Sequence, residues 1–465
     1  MPLDRRQAVF LESLRRFLRR SALVNLRKLL TKVRPQDFPP LYEELTEREQ
    51  LQLFQFLADK DPELGASLLV ELPQGQGPAL LRRLGPDRAA RLLEQCADDD
   101  AADLLADLEE EFSAEILERM KPEEKAAVEQ LLIYEEETAG RIMTPDVLAL
   151  PETMTVEEAI RTIQERGRVE MSFYLYVVDQ RHHLVGVLSL RELLLHPPTV
   201  RLHEIMNTDL VTVRTDTDQE EVARVAAKYD LLAIPVVDEQ GRLAGVVTID
   251  DVIDVLREEA TEDFYRLAGT SEEERIEPSV IKSARIRSPW LLAVFIGDLL
   301  AGVVIGSFRG TLEHMVGLAA FVPIVLAMGG TTGNQSAIVI IRGLATGRVR
   351  EGEYVRTLLR ELGTAGLLGF LYGVLLFGAS VGMLWWRGLA PDPRTAVLTG
   401  ATIGVALALS MMFATVMGAS MPLLLHRLGF DPAVSTTPFV TTSTDAVGSL
   451  IFFLLATWVL LPMVR

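Results

Sequence analysis

Asp445 stands in the stretch Thr441-Thr442-Ser443-Thr444-Asp445-Ala446-Val447-Gly448-Ser449, which runs on into Leu450-Ile451-Phe452-Phe453-Leu454-Leu455. Between Asp431 and Arg465 it is the only charged residue. An apolar run of that length is what a membrane span requires. A carboxylate near the middle of a span costs roughly 2.5–3.5 kcal/mol on insertion scales, so its presence needs a reason. The plain reading is a helix-packing carboxyl, protonated or bonded to a neighbouring hydroxyl. The sharper one is a cation site in a pore. There the flanking Thr and Ser hydroxyls, Thr441 included, and a freed backbone would supply further oxygen ligands.

The elements around Asp445 must then form a membrane bundle. Trp290 to Phe308 is apolar apart from Asp298, and Met315 to Ile341, Leu362 to Trp386 and Thr395 to Leu425 carry no charged side chain. With the Asp445 segment these make five candidate spans, 290–308, 315–341, 362–386, 395–425 and 436–463. Each is long enough to cross about 30 Å of hydrocarbon. Small-residue spacing at Gly297, Gly302 and Gly306, and at Gly363, Gly366 and Gly369, suits close helix packing in lipid.

Arginines give the orientation. The loop after the second span carries Arg342, Arg348, Arg350, Arg356 and Arg360, whereas the next has only Arg387 and Arg394 and the first only Arg309. Lys282, Arg285 and Arg287 precede the first span. That bias places the N-terminus in the cytoplasm and the C-terminus outside, in a cell (inner) membrane. No signal peptide is expected, because Arg15, Arg16, Arg19 and Arg20 break the first apolar run. The single cysteine, Cys96, rules out an intramolecular disulfide.

Charge divides the chain sharply. Residues 1–288 hold 36 basic and 57 acidic side chains, a net of −21, while 289–465 carries about +2. Residues 1–35 run the other way, with a basic amphipathic pattern that reads as a solvated helix face, a lipid-touching segment or a segment docked on the acidic remainder. So acidic a body excludes nucleic acid as a partner and suits divalent cations.

Residues 36–136 read as a string of short helices with proline-plus-acid starts, as in Gly85-Pro86-Asp87 and Lys121-Pro122-Glu123-Glu124. They suit an all-α superhelical domain. Asp99, Asp103 and Asp107 recur every four residues and share one helix face. Residues 138–258 contain a tandem repeat. Ile142-Met143-Thr144-Pro145-Asp146 recurs 63 residues on as Ile205-Met206-Asn207-Thr208-Asp209, and Gly186-Val187-Leu188-Ser189 recurs 59 residues on as Gly245-Val246-Val247-Thr248. This duplicated order resembles a pair of CBS domains, at 138–200 and 201–258. The resemblance implies an adenine nucleotide such as ATP, with Thr248 and Asp251 matching the family's block. The first copy, Ser189, Arg191 and Glu192, has Glu where Asp is expected, and Tyr174 is placed to stack on a base. A connecting (plug) helix region, 259–288, leads to the membrane domain, 289–465.

At this point the whole chain resembles the MgtE-type magnesium channels. Met328-Gly329-Gly330-Thr331-Thr332-Gly333-Asn334-Gln335-Ser336 is close to that family's Gly-Asn-Gln-Ser block, with Gly418-Ala419-Ser420-Met421-Pro422 and Leu428-Gly429-Phe430-Asp431-Pro432 following. The resemblance implies a multi-domain membrane protein, with an all-α N-terminal domain, α/β tandem CBS domains, a connecting helix and a five-helix transmembrane bundle. It implies a homodimer in the lipid bilayer whose pore site comprises Asp445, Thr441, Asn334 and Gly330. It also implies a Mg2+ sensor drawn from Asp99, Asp103, Asp230, Asp251, Glu258, Glu259, Glu262 and Asp263. Thr331 and Thr441 depart from common residues of that family.

Magnesium has partly independent support. Mg2+ sheds water reluctantly, so one carboxylate per subunit can hold it through its hydration shell. No Lys or Arg lies within the five apolar runs, which excludes an anion path. Carriage of Mg2+, with Co2+ and other divalent ions, gated by cytoplasmic Mg2+, is the expected function. A secondary divalent-cation exchanger and a non-conducting membrane sensor stand as alternatives. An enzyme is not expected: no nucleophile–base pair appears, and His182, His183, His196, His203, His314 and His426 form no ligand-spaced cluster. Asp298 is the rival acid, expected to pack or line a vestibule and to matter less than Asp445.

Overall fold

The structure is a computed structural model, and it describes residues 5–464 except 21, 74, 167–173, 272, 273, 275–278, 315, 347, 350, 390, 391 and 429. Asp4, Met315, Arg350, Gly429, Arg465 and part of the connector therefore lie outside the described residues. The chain divides into two compact units, Met1–Glu259 and Ala260–Arg465.

In the first unit ten helices, α1 to α10, run from Arg5 to Leu132 among the described residues. Proline opens α3 (Pro39–Glu43), α5 (Pro62–Val70), α7 (Pro86–Leu93) and α10 (Pro122–Leu132), where its missing N–H is no loss. A capping box, Thr46 with Glu49, starts α4 (Glu47–Lys60). Leu53, Leu57, Leu68, Leu80, Leu92 and Leu105 are fully or almost fully buried in one core. The basic start is part of it: Leu11 and Leu14 of α1 (Arg5–Arg19) and Leu26 and Leu30 of α2 (Leu23–Leu30) join the same cluster. Arg15 reaches Glu49 at 3.4 Å and Arg27 reaches Asp61 at 2.5 Å. The segment docks on the acidic body, and Arg16, Arg20, Lys28 and Lys32 stay exposed.

The repeat forms two matching three-stranded sheets. In the first, β1 (Ala149–Pro151) lies parallel to β2 (Tyr174–Val178), which pairs antiparallel with β3 (Leu184–Ser189). In the second, β4 (Val213–Arg214), β5 (Ala233–Val237) and β6 (Leu243–Thr248) repeat that order, with a register shift at the equivalent place in each. The segments that lead each repeat are exchanged. Met206 packs where a Cβ on Gly186 would stand, and Met143 packs likewise on Gly245. Backbone bridges Val187–Asn207 and Thr144–Val246 tie the exchange down. Only glycine leaves room for those methionines.

The second unit holds five helices long and apolar enough to span a membrane. The first span helix is Val280–Ser307, the second Val322–Ala345, the third Tyr354–Trp386, the fourth Pro393–Arg427 and the fifth Pro432–Val464. The first begins well before its apolar run, so Lys282, Arg285 and Arg287 ride on the same helix. The fourth is central, packing on the second, third and fifth. Backbone meets backbone where Gly418 faces the Gly333 carbonyl and Gly373 faces that of Gly404. Gly297 and Gly369 also make close contacts, with Thr442 and Ala408. Gly302, Gly306, Gly363 and Gly366 do not; no heavy atom lies within 4 Å of where their Cβ would stand. Sequence spacing identified the packing face correctly only where a partner backbone crosses. Gly418→Ala is expected to destabilise the bundle by at least about 2 kcal/mol, because a rigid backbone carbonyl cannot yield to a methyl. A melting temperature in detergent equal to that of the wild type would contradict this.

Candidate functional site

The fifth span runs unbroken from Pro432 to Val464. Its carbonyls near Asp445 are therefore not freed, contrary to the sequence expectation. The flanking hydroxyls turn inward as well: Thr444 Oγ1 donates to the Thr441 carbonyl at 2.9 Å, and Ser449 Oγ donates to that of Asp445 at 2.7 Å. In a long helix the i−3 or i−4 carbonyl is the nearest acceptor a hydroxyl has. What remains for a cation is the Asp445 carboxyl, half-buried, with Thr441 one turn earlier. Gly330 of the second span lies against Thr444, with 3.9 Å between its Cβ position and Oγ1. Asn334, one turn beyond Gly330, keeps a buried Oδ1 that has no hydrogen-bond partner. Ser336 instead donates to Glu361 of the third span at 2.9 Å.

The sensor candidates fall into several groups. Asp99, on α8 (Asp98–Ala106), is 8% exposed, and its Oδ1 is buried without a hydrogen-bond partner. Burial first, then the charges of Asp251 and Asp100, push its carboxyl up to about 8. Asp251 stands at the start of the helix Ile249–Leu267 and accepts from the Thr248 N–H at 3.2 Å and its hydroxyl at 2.5 Å. An orphaned carboxylate oxygen beside a second carboxylate is what a cation would satisfy. Asp103 is already engaged: Arg141, 4% exposed, donates to it at 3.1 Å and to the Ala102 carbonyl at 2.8 Å. Glu259 accepts from Gln219 at 2.7 Å, whereas Glu258 and Asp230 are exposed. Asp230 caps its helix in the left-handed region, φ 54°.

Glu262 and Asp263 belong to the second unit. Glu262 pairs with Arg266, which also donates to Asp431 at 2.5 Å. Burial, then the charge of Asp431, raises the Asp263 carboxyl above its ordinary value. Among the described residues no three His, Cys, Asp or Glu side chains converge as a metal cage. Facing pairs are the motif, and pairs suit an ion that keeps its water.

The Asp99 geometry has a pH signature. The folded chain holds the Asp99 proton more tightly than the unfolded chain, so the proton's contribution is complete below 3.8 and is lost as pH rises through about 8. In chelator the melting temperature should therefore fall between pH 5 and pH 8. Millimolar Mg2+, replacing the proton, should flatten that slope and release protons on binding. Calorimetry in buffers of differing ionisation enthalpy checks it; no proton release at pH 7 would rule out Asp99 as a ligand.

In the repeat, Ser189 forms a capping box with Glu192, accepting from the Glu192 N–H at 3.1 Å. Arg191 is exposed on the helix Leu190–Leu195, and Thr248, just before the helix Ile249–Leu267, donates its N–H to Asp251 Oδ2 at 3.2 Å. Tyr174 is half-buried between the two sheets, beside Tyr176, Ala233 and Val246. Sequence reasoning missed Arg141, Asp431 and Glu361 as partners of these sites. Asp431 stands in the Leu428–Pro432 block quoted from the sequence, but its role as a charge partner was not read there; the other two pair across 38 and 25 residues, with no local signal.

Known proteins match each part of this arrangement in turn. Residues 33–137 match the MgtE intracellular N domain, 139–198 and 202–258 match CBS domains, and 322–455 match MgtE, a divalent cation transporter family. The chain is 43% identical over 336 residues to the magnesium transporter MgtE of Thermus thermophilus, covering 70% of this chain and 71% of that one. It is 36% identical to that of Bacillus subtilis over 70% of each chain. A crystal structure of the cytosolic domain of the Mg2+ channel MgtE in complex with ATP aligns at a TM-score of 0.50 and 40% identity, over 53% of this chain and 99% of that one. The soluble part of a magnesium transporter aligns at 0.50 and 32%, over 55% and 99%. The sequence blocks, the exchanged CBS pair, the five spans and these matches together place the chain in the MgtE family of divalent cation transporters, as a transport protein rather than an enzyme.

Proposed function

We propose that this chain carries Mg2+ into the cytoplasm along a path centred on Asp445, and that cytoplasmic Mg2+ bound by its acidic first unit closes that path. The observation that carries the reading is Asp445 itself, a half-buried carboxylate in the fifth span. No lysine or arginine within the apolar runs is available to neutralise it. A hydrated divalent cation supplies the missing charge and donates hydrogen bonds from its water to the carboxyl. Thr441, Gly330 and the unpartnered Asn334 Oδ1 are the remaining groups of the path. A homodimer doubles each of them around one axis.

Asp99 with Asp251, and Glu262 and Asp263 with Asp431, are the paired carboxylates that would gather regulatory ions. Asp103, Asp230, Glu258 and Glu259 complete the acidic surface. The relative's ATP complex supports an adenine nucleotide in the CBS pair here, at Tyr174, Thr248 and Asp251. Ser189, Arg191 and Glu192 of the first copy are its second candidate set. With an odd number of spans and the arginine bias, the N-terminus is cytoplasmic and the C-terminus outside. Recording from the purified chain in bilayers, with Mg2+ replaced in turn by Co2+, Mn2+ and monovalent ions, tests the proposal. Unitary currents carried by Mg2+ support a channel, whereas flux without them, tied to a counter-ion gradient, would establish an exchanger instead.

A further inference from the structure

The first span carries a single charge in its apolar run, Asp298. The preceding Gly297 is buried, and Thr442 of the fifth span occupies the space its Cβ would need. The two helices therefore cross with Gly297 against Thr442. Thr442 and Asp445 are three apart and share that face of the fifth helix. Asp298 adjoins the crossing, one residue on from Gly297, close enough for its charge to act on the Asp445 carboxyl. It is exposed on the single chain rather than packed into it.

Each alternative for such an acid fails on physical grounds. A carboxylate turned towards hydrocarbon costs several kcal/mol, and no arginine or lysine in the apolar runs offsets it. A packing role within the chain would bury the side chain, which the exposure excludes. Two carboxylates at this spacing repel unless a proton or a bound cation sits between them. An open, carboxylate-lined path occupied by cations removes all three difficulties at once.

We propose that Asp298 is a second carboxylate of the ion path, acting with Asp445 on the same hydrated divalent cation and setting the path's affinity. Water in the ion's inner shell donates to both carboxyls, so the pair selects a fully hydrated ion of high charge over a bare monovalent one. This gives Asp298 a share of the path in place of the packing or vestibule role read from sequence, with Asp445 still the larger contributor. It rests on the reading of Asp445 as the pore carboxylate.

The test uses the full-length chain in proteoliposomes at matched incorporation, with wild type, Asp298→Asn, Asp298→Glu and Asp445→Ala compared. Mg2+ flux is read as KM and maximal rate. Inhibition by cobalt(III) hexaammine, an exchange-inert mimic of a hydrated cation, is read alongside. Asp298→Asn should raise the KM for Mg2+ about tenfold and weaken hexaammine inhibition by a similar factor, with maximal rate changed less than about threefold, because one of two attracting charges is lost. Asp298→Glu should restore both within about threefold. If Asp445→Ala is inactive yet Asp298→Asn keeps wild-type KM and inhibition, the second-carboxylate proposal is wrong and the pore reading survives. Wild-type flux in Asp445→Ala would remove the pore reading and this proposal with it. Should the Asn form not fold, Asp298→Ser, smaller and equally neutral, carries the same comparison.

Discussion

Replacing Asp445 by alanine should reduce Mg2+ flux by on the order of a hundredfold or more at equal membrane abundance. A divalent ion about 5 Å from a carboxylate, at a dielectric between those of water and protein, gains several kcal/mol, and the side-chain hydroxyls nearby cannot replace it. They donate to their own helix: Thr444 to the Thr441 carbonyl and Ser449 to that of Asp445. Asp445→Asn keeps the volume and should fail nearly as badly, which separates charge from packing. The span stays apolar in both variants, so insertion should be unharmed or eased. Near-normal flux in either one, in protein that elutes as the wild type does, would end the pore assignment.

The second large effect concerns closure. The part before residue 289 has a net charge of −21, so copies brought together repel unless counter-ions intervene. Ions bound between facing carboxylates favour the compact state, and bridging several at once makes the response steep. Millimolar Mg2+ should protect the 250–287 connector from protease and close the path. Neutralising Asp99, Asp251 and Glu258 together should raise the Mg2+ concentration for half-closure by about tenfold or more, roughly 1.4 kcal/mol of lost coupling. Asp445-dependent flux should persist. Asp103 is a poor choice for that experiment. Its removal leaves the Arg141 guanidinium, 4% exposed, with the Ala102 carbonyl as its remaining acceptor, so a local loss of stability would mix with the loss of a sensor charge. Identical protease patterns and identical small-angle scattering with and without Mg2+ would reduce these acids to a solvated surface.

What the sequence disclosed follows from what is local. Span length, proline-led helix starts and the repeated Ile-Met and Gly-Val blocks are each written within a few residues. The fifth-span carboxylate is legible because hydrocarbon makes any charge conspicuous. Pairings across the fold are not local, and there the reading failed. Nothing near Asp103 announces Arg141. Nothing near Asp445 announces Asp298, since their juxtaposition depends on a glycine notch in a different helix. The freed backbone expected around Asp445 was an inference from ligand chemistry. A continuous helix overrides it, because in lipid every carbonyl must find its partner internally.

The exchange of leading segments between the two repeats has a consequence for how this chain could be dissected. Met143 fills the notch over Gly245 and Met206 fills the one over Gly186. Neither repeat therefore owns a complete interior. Excising one leaves the other with an uncovered strand and an empty slot, so half a pair is not a smaller version of the whole. The duplication behaves as a single indivisible body.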